Sequence, residues 1–71
     1  MNIEQLIACL THPEDPDLQV VVTKNIDDLF EVYMIWNPEK IFRGETLGDA
    51  LAKLYVDSFP AQLRAKELGY E

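Results

Sequence analysis

Apolar positions along this chain switch between helical and strand spacing, and the switches mark its elements. Ile3, Leu6, Ile7 and Leu10 fall at i, i+3, i+4 and i+7, one stripe of a first helix. Asn2 is placed to cap it, and Gln5 stands where the reciprocal partner of a capping box belongs. Pro13 ends it, because its ring drives His12 away from helical angles. Thr11–Asp17 (THPEDPD) then reads as a stiff acidic loop with two prolines. Leu18–Lys24 contains three consecutive valines and predicts a strand. Asn25–Asp28 is a hairpin connection leading into a second strand, Leu29–Trp36. Alternation places Phe30, Val32, Met34 and Trp36 on one face and Leu29, Glu31, Tyr33 and Ile35 on the other. Asn37–Lys40 is a turn with a well-placed proline, and Lys40–Gly44 is a short candidate third strand.

Helical spacing returns at Leu47, Ala50, Leu51, Leu54 and Tyr55, after Thr46 as cap. Ser58 and Pro60 predict a break and a fresh start, since proline suits the first turn of a helix. Ala61–Leu68 continues as helix, and Gly69 is its expected stop. The alternative is one long helix kinked at Pro60. The fold class is therefore α+β: a two- or three-stranded antiparallel sheet flanked by helices, in the order α-β-β-(β)-α-α. Residues 1–71 form one acidic domain.

The second strand is apolar on both faces apart from Glu31, whereas a sheet with one wet face alternates more cleanly. Something must cover Leu29, Tyr33 and Ile35. The chain's own helices are one answer; a homodimer or a docked partner is the other.

Composition sharpens this choice. Seventy-one residues lie near the length at which one core is only marginally stable, although 48% of them are hydrophobic. Cys9 is the sole cysteine, so there is no disulfide, and no Cys/His cluster offers structural zinc. Packing must supply the stability, completed where needed by a second copy or a partner. Cys9 itself reads as a small buried hydrophobe. The longest apolar run, Val32–Trp36, is far short of the ~20 residues of a membrane helix. No basic residue precedes Lys24, which does not fit a signal peptide. These features fit a cytoplasmic protein, and the style of the chain resembles short bacterial and phage proteins.

The net charge is −7, and it is uneven. Residues 1–39 hold Glu4, Glu14, Asp15, Asp17, Asp27, Asp28, Glu31 and Glu39 against Lys24 alone; residues 40–71 balance five acids with five bases. Direct binding to nucleic acid needs a basic surface and is disfavoured. A basic protein partner is the complementary expectation.

Candidate chemistry is sparse. His12, Glu14, Asp15 and Asp17 are four oxygen and imidazole donors within six residues, but their spacing matches no calcium loop and two prolines stiffen them. Asp27 and Asp28 suit a turn better than a general acid–base pair. Ser58 is the only serine and has a capping role to fill, and Gly44, Gly48 and Gly69 form no phosphate loop. No cofactor, metal or catalytic residue is assigned. Phe30, Tyr33, Trp36 and the other aromatic residues are expected in the core, with no basic neighbours to make a base-stacking platform.

Gly44–Leu54 (GETLGDALAKL) is similar to the strand-to-helix junction of the HicB-type antitoxin fold, where a short sheet runs into a helix opening with Thr-Leu-x-x-Ala-Leu. The likeness spans eleven residues. The family's preceding strand pattern and DNA-binding extension are not evident, and no functional residue carries over.

The functional expectation is a non-enzymatic protein-interaction module. Its contact surface would combine Glu14, Asp15, Asp17, Asp27 and Asp28 with Tyr33 and Ile35. One rival is an acidic, antitoxin-like inhibitor that presents carboxylates to a basic nucleic-acid-binding protein. Another is a divalent-metal binder or small enzyme centred on residues 12–17.

Overall fold

The first helix, α1 (Ile3–Leu10), opens on a complete capping box. The Asn2 side chain accepts the Gln5 N–H at 2.8 Å, and the Asn2 N–H donates to the Gln5 side chain at 3.0 Å. In this computed structural model, which describes residues 1–70, the remaining elements are β1 (Val20–Lys24), β2 (Phe30–Met34), β3 (Phe42–Gly44), α2 (Leu47–Asp57) and α3 (Phe59–Leu68). The order α-β-β-β-α-α and the antiparallel sheet agree with the sequence pattern, and the third strand is present. No helix among the described residues is long and apolar enough to cross a membrane.

The sheet is a meander in the order β1-β2-β3. Val22 faces Val32 and Lys24 faces Phe30 across the first pair; Val32 faces Phe42 across the second. The core lies between one face of this sheet and all three helices. Leu6, Cys9 and Leu10 of α1, Ala50, Leu51, Leu54 and Tyr55 of α2, and Ala61 and Ala65 of α3 pack with Val32 and Met34. α2 lies across β2 and β3, while α1 and α3 pack on α2 and on each other. The opposite face of the sheet has no helix over it, so the expected helical cover for Tyr33 and Ile35 is not there.

Several boundaries differ from the sequence pattern for clear reasons. β2 stops at Met34 because a turn begins there: the Asn37 N–H donates to the Met34 carbonyl at 2.9 Å. Trp36 therefore leaves the strand and is 53% exposed instead of joining the core. Leu18 precedes β1 and still reaches the core from the loop, held as its carbonyl accepts the His12 N–H at 2.9 Å. The buried edge of α1 is Leu6–Cys9–Leu10, with Ile3 and Ile7 towards solvent. Fully buried Cys9 takes the place of Ile3 and Ile7 on the buried side, so the helix is rotated from the predicted stripe. Ser58 separates α2 from α3 and caps both, so the two-helix reading holds. α3 starts at Phe59, two residues earlier than the sequence indicated, with Pro60 in its first turn.

Candidate partner-binding surface

The 11–17 loop is shaped by its own polar groups. The Asp15 carboxylate accepts the Asp17 N–H at 3.0 Å, and His12 Nδ1 accepts the Glu14 N–H at 3.1 Å. These are local turns of the kind that Asp supports beside proline. Glu14, Asp15 and Asp17 are left exposed. Among the described residues, no three His, Cys, Asp or Glu side chains converge as a metal-holding group.

The β1–β2 hairpin turn is organised by Asn25. Its side-chain oxygen accepts the N–H groups of Asp27 and Leu29, both at 3.0 Å. Asp28 takes a left-handed conformation at φ 65°, which Asp tolerates better than most residues. Its carboxylate pairs with Lys24 at 3.0 Å, and the Lys24 ammonium also sits 4.9 Å from the centre of the Phe30 ring. Asp27 is exposed beside fully exposed Ile26.

The two acidic groups thus sit at opposite ends of β1, a strand of five residues that spans about 17 Å. Glu14, Asp15 and Asp17 precede it; Asp27 and Asp28 follow it. They do not form one cluster. Tyr33 is half-buried on the helix-free face, and Ile35, 48% exposed, lies just past the end of β2. On that face Arg43 donates to Glu31, which also accepts from Asn25 at 3.3 Å. The Arg43 bond first, and the Asn25 bond second, hold the Glu31 carboxyl below the usual carboxylate range.

A shallow groove adjoins the acidic loop. It is lined by Leu18, Trp36 and Pro60 together with Asp15 and Asp17. Past Leu18 and Pro60 it continues to His12, Leu63, Arg64 and Glu67. Arg64 pairs with Glu67 at 3.3 Å, while its buried Nε has no hydrogen-bond partner. Trp36, Pro60 and Leu63 were absent from the sequence-derived site. One signal pointed to Trp36: Asn37-Pro38 follows it directly, and a turn there puts position 36 beyond the sheet. Nothing in the linear pattern placed Pro60 beside Leu18.

No family model matches this chain, and neither a curated protein nor a solved structure matches it. At residues 44–54, β3 ends at Gly44 and Thr46 caps α2 by accepting the Asp49 N–H at 3.1 Å.

Proposed function

We propose that this chain is a non-enzymatic protein-interaction module whose partner is basic. One observation carries the reading: exposed Asp15 and Asp17 line a mostly apolar groove together with exposed Trp36. Apolar groups in a groove supply contact area, and the carboxylates select the partner's charge and speed its approach. The overall charge of −7 favours the same class of partner. Tyr33 and Ile35 extend the contact surface onto the neighbouring sheet face.

Trp36 is the sole tryptophan and lines this groove, so its emission reports on events there. The test is a fluorescence titration with the peptide Lys-Arg-Val-Thr-Val-Thr-Val-Lys-Arg, which has an apolar centre and basic ends. The expected result is a saturable change in emission that weakens with added salt. The double variant Asp15→Asn, Asp17→Asn should bind about tenfold more weakly, the equivalent of about 1.4 kcal/mol. Equal affinity for the variant, or no saturable change with the wild-type chain, would overturn the assignment.

A further inference from the structure

The hydrogen-bond phase of the hairpin shows which groups of β1 are free. The Ile35 N–H donates to the Gln19 carbonyl at 2.9 Å, and the Asn25 N–H donates to the Leu29 carbonyl at 3.0 Å. With the register between them, Val21 and Thr23 exchange bonds with Tyr33 and Glu31. Val20, Val22 and Lys24 therefore turn their N–H and C=O groups away from β2, along the outer edge of the sheet. β1 packs substantially on no element except β2.

The usual protections of an edge strand are missing here. β1 contains no proline, and its one charged side chain, Lys24, stands at its end and is engaged by Asp28. The other edge is different. β3 has only three residues, α2 packs against it, and Lys53 donates to the Arg43 carbonyl at 2.7 Å. Val22 is 42% exposed although it points to the helix side; of β1, only Val20 packs against the core. An added strand would supply both the backbone partners and a side chain beside Val22.

Charge decides what kind of strand fits. The edge is apolar in the middle, with Glu14, Asp15 and Asp17 at one end and, at the other, Asp27 beside the Lys24–Asp28 ion pair, so that both ends carry net negative charge. A second copy of β1 would bring acidic ends against acidic ends in either direction. A strand with basic ends meets complementary charge at both. Resting on the interaction reading above, we propose that the free edge of β1 receives an extended segment of a partner protein. That segment has about five residues of alternating apolar side chains, matched to β1, with Lys or Arg at each end.

The test is amide hydrogen exchange read by NMR on the full chain, with and without the same basic-ended peptide. The Val20, Val22 and Lys24 amides should slow by about tenfold at saturation, with β3 amides unchanged. A peptide with Glu in place of each Lys and Arg should give no slowing. Val22→Pro removes one outward donor without touching the β2 ladder and should weaken binding. Should that variant fail to fold, the exchange data on the wild-type chain still decide. A Trp36 response without slowing at β1 would overturn the edge site and leave the basic-partner reading standing. Neither response would overturn both. Slowing in the absence of peptide that grows with protein concentration would assign the edge to a second copy instead.

Discussion

Gly44 and Gly48, four residues apart, should respond in opposite ways to the same change. At Gly44 an added Cβ would lie 2.7 Å from the Ala50 nitrogen and 2.8 Å from the Asp49 Cβ. Backbone cannot yield cheaply there, because β3 hands directly into the first turn of α2. Gly44→Ala should destabilise by about 1–3 kcal/mol in urea unfolding, as overpacking does. At Gly48 the nearest atoms are those of Ile3 at 3.6 Å and 3.8 Å, ordinary contact distances. Gly48→Ala should leave stability unchanged or raise it by up to about 1 kcal/mol, since alanine suits a helix better. Loss of stability at Gly48 comparable to that at Gly44 would contradict the packing described. Sequence alone gave no warning of this contrast. Only the approach of α2 to the strand end distinguishes the two glycines.

Among the helices, the capping signals were the most legible part of the fold. Asn2 with Gln5, Thr46 and Gly69 all serve the ends their residue types suggested. Local chemistry settles such termini, so a linear reading finds them. Helix rotation depends on neighbours, and there the pattern misled: Ile3 and Ile7 fit the stripe but face solvent, while Cys9 is buried. Ser58 is the position where two helices depend on one residue. It is buried, its N–H donates to the Tyr55 carbonyl at 3.1 Å, and its hydroxyl accepts the Ala61 N–H at 3.3 Å. Ser58→Ala should cost about 1 kcal/mol, and Ser58→Thr should recover part of it. In the sheet, Glu31 gives a pH signature. Its folded pKa is depressed, chiefly by Arg43, so its contribution is fully present above the unfolded value and fades as pH falls through the folded one. Urea midpoints taken from neutral pH downward should therefore drop in the acid range, below the usual glutamate value of about 4.3. Arg43→Met should shallow that drop. An identical acid limb in the variant would show that the pair contributes nothing to the pH dependence.

Considered as a single object, the molecule is lopsided. Every helix packs on one face of the sheet, and the strands carry only Lys24, Glu31 and Arg43 while the whole chain carries −7. Acidity is displaced to the loops and turns around the free edge of β1. The sequence pointed to this segregation, because charge counts need no coordinates, and to an over-apolar second strand. The same linear order put Glu14, Asp15 and Asp17 before the first strand and Asp27 and Asp28 after it, so their placement at its two ends was legible too. It did not place Trp36, whose exposure depends on where β2 stops. The most direct test of a carboxylate-selected partner is quantitative capture from a lysate of the native host. The wild-type chain is compared with one carrying Asp15→Asn, Asp17→Asn, Asp27→Asn and Asp28→Asn. The account predicts that a basic protein is retained by the first and lost from the second while both chains stay folded; the same partners held equally by both would contradict it.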